Sequence, residues 1–314
     1  MRGGVVSASW LAGEVRNVVV VDATWALTKS AFVGERCPLE TYRSCRIPGA
    51  KFWDLDQYSD PEPAPHTPHN LPSPAQFSEA AASCGIEKGS RVVCYDQFGV
   101  FSSPRLWLTL CAYGVDAAIL DGGLPAWIAG GNEVADDDDD DDDHDHDDHE
   151  KRGKETWTRS NRKIEQWRLA DVEKWLLQQE KSTKLLDARP AARFDGSVPD
   201  PRGLRSGHIP NSINVPFLDV LQPSPDRESK TCQYGGAFRG ATLKDDAALR
   251  DIFIKTHGIH PGDRVALTCG SGLTAATLAL ALHRLDVNDV SLYDGSWLDY
   301  ASNPDTPVAT TTNK

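Results

Sequence analysis

A single cysteine, Cys269, lies in a loop whose composition suits a nucleophile. Residues 265–275 read VALTCGSGLTA, which places the cysteine between an apolar β-branched run and an Ala/Leu-rich segment. The first predicts a strand and the second a helix, so the loop joins the carboxyl end of a strand to a helix N-terminus, where ligands collect in α/β folds. Glycines allow amide N–H groups to turn inward, and the first helical turn has unpaired donors. This setting favours a reactive thiolate; a buried structural cysteine is the alternative.

The elements that position this loop occur twice along the chain. NVVVVDATW (17–25) is matched by TKLLDARPAARF (183–194), RIPGAKFWDLD (46–56) by HIPNSINVPFLD (208–219), and ILDGGLPAW (119–127) by LYDGSWLDY (292–300). In each half, short β-branched runs alternate with longer amphipathic segments, a pattern typical of a parallel sheet covered by helices. The sequence therefore predicts an α/β protein with two tandem domains, each a central parallel sheet flanked by helices.

An acidic tract separates the two halves. Residues 136–150 (DDDDDDDDHDHDDHE) hold eleven Asp and one Glu, which account for nearly all of the net charge of −13. Like charges repel and the tract has no apolar residue to bury, so it is predicted to be a disordered linker or surface loop, with weak metal binding by its histidines as the alternative. The predicted boundaries are 1–134 for domain 1, 135–160 for the linker, 161–302 for domain 2 and 303–314 for a flexible tail.

Composition excludes several other classes of protein. Outside the acidic tract the chain is nearly neutral, which argues against direct nucleic-acid binding. The apolar runs are shorter than the roughly 20 residues that a membrane span needs, so no membrane role is expected. Seven scattered cysteines without CxxC spacing suggest neither a disulfide framework nor a zinc site. We expect a reduced chain in the cytoplasm, with a mitochondrial pool as a further possibility.

The duplicated halves, the IPG and IPN segments, the cysteine loop in the second half alone and the closing DGSW resemble the two-domain rhodanese-type sulfurtransferases. The loop CGSGLT is similar to the 3-mercaptopyruvate sulfurtransferase version, whereas thiosulfate-specific relatives carry basic residues directly after the cysteine. The resemblance covers about residues 7–300. In the first half the corresponding position is near Asp96, which makes domain 1 catalytically silent.

The resemblance implies a set of site residues. Cys269 would attack the substrate sulfur, and Ser271 would form a proton relay with Asp56 (in DLDQYSD) and His69 (in PHNLP). Substrate binding falls to two arginines in ARFDGSVPDPRG and to residues of the cysteine loop: Arg193, Arg202, Gly270, Gly272, Leu273 and Thr274. A guanidinium is the natural partner of the mercaptopyruvate carboxylate. Considered singly, the arginines could form exposed salt bridges, and Asp56 and His69 could be ordinary loop residues.

The implied reaction moves sulfane sulfur from 3-mercaptopyruvate through a Cys269 persulfide. The acceptor would be a thiol, such as thioredoxin or a small thiol that releases hydrogen sulfide, or cyanide. Pyruvate is the other product, and no metal or organic cofactor is required.

Three alternatives remain. A thiosulfate:cyanide sulfurtransferase would need cations for its sulfite leaving group, and Gly270 and Ser271 supply none. A cysteine phosphatase needs an arginine that closes the loop, where Thr274 and the following alanines stand instead. A protein-fed sulfur carrier for tRNA thiolation would not need to keep two substrate arginines.

One residue and one segment depart from the family pattern. Arg46 replaces the histidine that commonly precedes IPG, which predicts modified packing in domain 1. Residues 221–250 are longer than expected; they could cover the pocket or carry a regulatory thiol, Cys232, or form a plain surface insertion.

Overall fold

The computed structural model of this 314-residue chain describes residues 4–26, 37–62, 67–137, 155–160, 164–178, 182–223 and 240–311. Most of the acidic tract and Cys232 lie outside these ranges. The predictions for the disorder of the tract, for its histidines and for that thiol therefore stay predictions.

Twelve strands and ten α-helices are formed by the described residues. The strands are β1 (Val5–Val6), β2 (Val19–Asp22), β3 (Lys51–Phe52), β4 (Arg91–Tyr95), β5 (Asp116–Leu120), β6 (Ile164–Trp167), β7 (Thr183–Asp187), β8 (Ile213–Asn214), β9 (Leu221–Gln222), β10 (Thr242–Leu243), β11 (Arg264–Thr268) and β12 (Val290–Tyr293). The helices are α1 (Ala8–Glu14), α2 (Pro38–Ser44), α3 (Pro74–Ser83), α4 (Ser103–Ala112), α5 (Gly123–Ala129), α6 (Leu169–Gln178), α7 (Ala191–Phe194), α8 (Asp246–Arg250), α9 (Ala275–Arg284) and α10 (Ser296–Ser302). A π-helical turn, Asp251–Thr256, continues α8.

Two five-stranded sheets confirm the predicted fold class. Their strand orders are β1-β5-β4-β2-β3 and β6-β12-β11-β7-β8, and neighbouring strands are parallel in both. The two orders correspond position by position, as the duplicated sequence predicts. The central strands are buried valine- and leucine-rich runs, which is the usual composition of strands covered by helices on both faces. Short strands β9 and β10 form a separate two-stranded sheet.

Local sequence signals explain where individual helices begin. Ser73 caps α3: it accepts the N–H of Gln76 while the Gln76 side chain accepts the Ser73 N–H, and Pro74 occupies the first helical position. Asp245 caps α8 by accepting the N–H of Ala248.

The chain divides into two compact units. Unit 1 comprises residues 1–58, 72–160 and 222–243, and unit 2 comprises residues 59–71, 161–221 and 244–314. These limits differ from the predicted boundaries, because the segment 59–71 belongs to the second unit although it lies in the first half of the sequence. Within unit 2 the Leu71 N–H donates to the Asp294 carboxylate at 2.7 Å, a bond between distant parts of the chain that no local pattern announces.

Both ends of the predicted linker are packed onto unit 1. The Arg46 guanidinium, almost fully buried, pairs with the Asp137 carboxylate at 3.1 Å and donates to the Asp136 carbonyl. At the other end Trp157 is buried against Phe77, with ring centroids 5.2 Å apart. The part of the predicted linker that the structure describes is therefore bound to unit 1, and Arg46 contacts one end of it.

The first nine residues of the predicted tail, 303–311, are bound to unit 2. The Arg205 guanidinium donates to the carbonyls of Ala301 and Thr306, and Tyr300 donates its O–H to Pro307. An antiparallel bridge pairs His208 with Ala309. These bonds tie the chain after α10 to the unit.

Among the described helices, none is both long enough and apolar enough to cross a membrane.

Candidate active site

The cysteine loop of unit 2 has the predicted setting. Cys269 follows β11 directly, and α9 begins six residues later, at Ala275. Cys269, Ser271 and Leu273 are buried, with 1%, 4% and 3% of their surfaces exposed. Gly272 has φ +82°, in the left-handed region that favours glycine, so a side chain here would strain the turn. The loop is therefore a tight, buried connection between a central strand and a helix.

The DGSW segment holds this loop by its backbone. The Cys269 N–H donates to the Ser296 Oγ at 3.1 Å, and the N–H groups of Trp297 and Leu298 donate to the carbonyls of Cys269 and Gly270, both at 3.0 Å. The peptide groups on both sides of the cysteine are thus fixed.

Sequence reasoning missed the role of Ser296. Its φ of +51° is unusual for a residue with a side chain, and the corresponding residue of the other half, Gly123, has φ +57°. A serine at a position that suits glycine is useful here because its hydroxyl accepts the Cys269 N–H. The sequence signal that could have revealed this role is the comparison of DGG (121–123) with DGS (294–296), where Ser296 stands in place of Gly123.

His69 lies against Ser271 within unit 2. The His69 Nδ1 is 3.0 Å from the Ser271 Oγ and 3.2 Å from the Ser271 carbonyl oxygen, and His69 is 1% exposed. Depending on the ring tautomer, Nδ1 accepts the serine proton or donates to the serine oxygens. The pair can therefore pass a proton two residues from the cysteine.

Arg202 brings a cation to the same loop. Its Nη2 is 3.5 Å from the Ser271 Oγ, and a Cβ added at Gly270 would be only 3.2 Å from its Nη1. The absence of a side chain at Gly270 thus leaves room for the guanidinium. The Arg202 N–H donates to the Asp200 carboxylate at 2.9 Å, which fixes the turn that carries it.

The remaining predicted residues are placed as follows. Arg193 is half-buried in α7, and its side chain forms no hydrogen bond or ion pair with other described residues. Thr274 precedes α9, and its carbonyl accepts the Thr277 N–H. Asp56 belongs to unit 1, where its carboxylate accepts the Trp25 indole N–H. The contacts of unit 2 thus join Ser271 to His69 and Arg202, and do not join Arg193 to them.

A buried ion pair supports the strand ends next to the loop. The Arg189 guanidinium donates to the Asp187 carboxylate at 2.7 Å, both side chains are nearly inaccessible, and the guanidinium lies 4.2 Å from the Trp297 ring centroid. The Ala188 N–H donates to the Thr268 carbonyl, so the ion pair lies next to the end of β11, just before Cys269.

The corresponding loop of unit 1 shows what such a loop binds. Asp96 occupies the cysteine position, since the Leu124 N–H donates to its carbonyl as the Trp297 N–H does to that of Cys269. The Asp96 carboxylate accepts five backbone N–H groups, from Phe98, Gly99, Phe101, Ser102 and Ser103, and the Ser103 hydroxyl. In unit 1 this loop is therefore filled by an internal anion, and it carries no thiol.

Within the ranges that the structure describes, no three or more His, Cys, Asp or Glu side chains are grouped to hold a metal ion.

A known family model matches both halves of this chain. The model of the rhodanese-like domain matches residues 8–130 and again residues 170–303, which together are more than three quarters of the chain. Each match falls on one half of the duplicated sequence, and the second includes the Cys269 loop.

Similar proteins extend over nearly the whole chain. The 3-mercaptopyruvate sulfurtransferase of Escherichia coli is 33% identical, with 96% of each chain covered. The mitochondrial thiosulfate/3-mercaptopyruvate sulfurtransferase 1 of Arabidopsis thaliana is also 33% identical and covers 97% of this chain and 77% of its own. The crystal structure of SseA from Escherichia coli, which has the rhodanese fold, matches with a TM-score of 0.69 at 29% identity over 94% of this chain and 98% of its own.

Proposed function

This chain belongs to the rhodanese-like domain family, and we propose that it is a sulfurtransferase that uses 3-mercaptopyruvate as sulfur donor and Cys269 as sulfur carrier. The observation that carries the proposal is the group around Ser271: a proton-transferring side chain, His69, and a cation, Arg202, both contact the serine two residues after the cysteine. Its relatives named 3-mercaptopyruvate sulfurtransferase support the same reaction.

In the first half-reaction the Cys269 thiolate attacks the sulfur of the donor. A sulfur–sulfur bond forms and the carbon–sulfur bond breaks, so the electron pair passes to the three-carbon fragment as pyruvate enolate. The enolate takes up a proton at its methylene carbon to give pyruvate. In this proposal Ser271 and His69 deliver that proton, supported by their contact at 3.0 Å, with Asp56 as the third member of the relay that the family resemblance implies.

The donor is held by its carboxylate. Arg202 offers a guanidinium beside Gly270, and Arg193, which has no side-chain partner among the described residues, is the second candidate. Gly270, Gly272, Leu273 and Thr274 complete the binding surface, since the loop amides can stabilise the terminal sulfur of the persulfide.

In the second half-reaction an acceptor thiolate attacks the outer sulfur of the persulfide. The Cys269 thiolate leaves, and the acceptor becomes a persulfide; a second thiol then releases hydrogen sulfide and forms a disulfide. Thioredoxin or a small thiol fits this role, and cyanide would give thiocyanate instead.

Unit 1 has no part in the bond-breaking steps at its own loop. Asp96 already fills the anion position there, and a carboxylate cannot carry sulfane sulfur. We therefore assign the Asp96 loop of unit 1 a supporting role.

Steady-state kinetics with two donors tests the proposal. We expect kcat/KM for 3-mercaptopyruvate to exceed that for thiosulfate, and Cys269→Ser to abolish both. Arg202→Met should raise KM for mercaptopyruvate about ten- to a hundredfold, the value of a charged hydrogen bond. The control is Arg168→Met, which removes an exposed arginine of the same unit and should leave the kinetics unchanged.

Two outcomes would reject the proposal. A preference for thiosulfate would show that the neutral residues after Cys269 do not select the donor, and would favour the thiosulfate reaction. If neither donor is used while Cys269 accepts sulfur from a protein persulfide, the chain is a protein-fed sulfur carrier.

A further inference from the structure

The Asp56 carboxylate in unit 1 is bound by an indole. The Trp25 Nε1–H lies 3.0 Å from both Asp56 oxygens, so a single donor is shared between them. Asp56 is exposed and follows β3, while Trp25 is half-buried and follows β2. The shared donor holds both carboxylate oxygens in one orientation.

Trp25 is in turn fixed by the loop that contains Asp96. The backbone N–H of Trp25 donates to the Ser102 Oγ at 3.1 Å, and the backbone N–H of Ser102 donates to the Asp96 carboxylate at 3.0 Å. Ser102 is fully buried. A continuous series of hydrogen bonds therefore runs from the anion-filled loop through Ser102 and Trp25 to Asp56.

The backbone of Asp56 is anchored independently. Its N–H donates to the Asp54 carboxylate at 2.9 Å, and Trp53, just before, is buried. The backbone around Asp56 is thus set by its own turn, and the indole sets the direction of the side chain.

We propose that Trp25 is a positioning residue for the reaction, whose indole N–H orients the Asp56 carboxylate while Ser102 orients Trp25. This rests on the proposed function, in which Asp56 belongs to the proton relay. In this proposal the loop of unit 1 has a structural role, because the Asp96 carboxylate stabilises the loop whose Ser102 holds the backbone of Trp25.

A double-mutant cycle tests the inference. The variants are Trp25→Phe, which keeps a ring and removes the N–H, Asp56→Asn, and the two combined. The control is Trp127→Phe, which removes another indole N–H bond of unit 1, the one to the Glu133 carbonyl. Each is assayed for kcat and KM with 3-mercaptopyruvate and a thiol acceptor.

Asp56→Asn should lower kcat about 100-fold, the lower end of acid–base catalysis, and Trp25→Phe about tenfold, a fraction of the loss from misplacing a catalytic group. KM should stay within twofold in both. The double variant should equal Asp56→Asn, because Trp25 acts only through that carboxylate. Trp127→Phe should match the wild type.

Other results separate the two ideas. If Asp56→Asn slows the reaction and Trp25→Phe does not, or if the two losses multiply, the positioning role is wrong while the proposed function stands. If Asp56→Asn has no effect, both the relay role and the positioning role are wrong. If the wild-type protein does not use 3-mercaptopyruvate at all, the proposed function is rejected.

Ser102→Ala provides a second variant should Trp25→Phe fail to fold. It removes the acceptor of the Trp25 backbone N–H and leaves the indole in place. The kcat should therefore fall by a smaller factor than in Trp25→Phe. In the Asp56→Asn background, Ser102→Ala should not lower kcat further. An unchanged kcat in the otherwise wild-type chain would overturn the proposed series of bonds.

Discussion

Replacing Asp22 by Asn should stabilise unit 1 relative to the wild type by an amount that increases with pH. Asp22 ends β2 and is fully buried, and burial raises the pKa of its carboxyl from 3.8 to about 6, although hydrogen bonds from Thr24, Gln97 and Tyr95 lower it in part. In unit 2 the corresponding carboxylate, Asp187, has the buried Arg189 guanidinium; at the matching position Asp22 has the neutral Thr24.

The size of the effect follows from linkage. The pKa is raised by about two units on folding, which corresponds to about 3 kcal/mol. Because the folded pKa is the higher one, the folded state binds more protons between pH 4 and 6. The free energy of unfolding contributed by Asp22 is therefore fully present below about pH 4 and is lost as the pH rises through about 6.

Urea unfolding from pH 4.5 to 8 measures this change. An Asn side chain does not titrate, so the difference in free energy of unfolding, variant minus wild type, should increase by about 2 kcal/mol across this pH range and level off above pH 7. Gln97 has a buried Oε1 without a hydrogen bond among the described residues, and turning its amide to accept the new N–H costs the bond from Nε2 to the Cys45 carbonyl. That cost does not depend on pH, so it changes the difference in free energy by the same amount at every pH.

Asp116→Asn, which removes an exposed carboxylate of β5 in the same unit, is the control for the loss of one charge. A flat difference for Asp22→Asn, or one that falls with pH, would refute the assignment of a buried, protonatable carboxyl at the end of β2.

Two further predictions concern the ion pair and the buried thiols. Arg189→Met should lower the stability of unit 2 by about 3–5 kcal/mol, because Asp187 would remain buried without its cation; calorimetry would show this, and an unchanged melting temperature would contradict it. Burial raises the pKa of the Cys84 thiol to about 12 and that of Cys94 well above its usual value, so both stay protonated. After treatment with the sulfur donor, mass spectrometry should therefore find the persulfide on Cys269, and sulfane sulfur on Cys84 or Cys94 would count against this explanation.

The sequence by itself determined the local features of this protein. Alternation of apolar strands with helical segments predicted two parallel sheets, and the glycines around Cys269 predicted a tight strand-to-helix loop. The repeat also identified Asp96 as the residue of the first half that corresponds to Cys269. These features depend on short-range patterns, namely side-chain periodicity and backbone freedom, which the order of residues records directly.

Only the tertiary structure decided which distant residues meet. His69 and Ser271 are 202 positions apart; the family resemblance paired them, but no local pattern near His69 shows that its segment packs in unit 2. The bond from Trp25 to Asp56 likewise depends on two strand ends being adjacent. Burial of Asp22 without a cation among the described residues is also a property of the packed sheet, because a carboxyl pKa responds to the surrounding atoms and not to sequence neighbours alone.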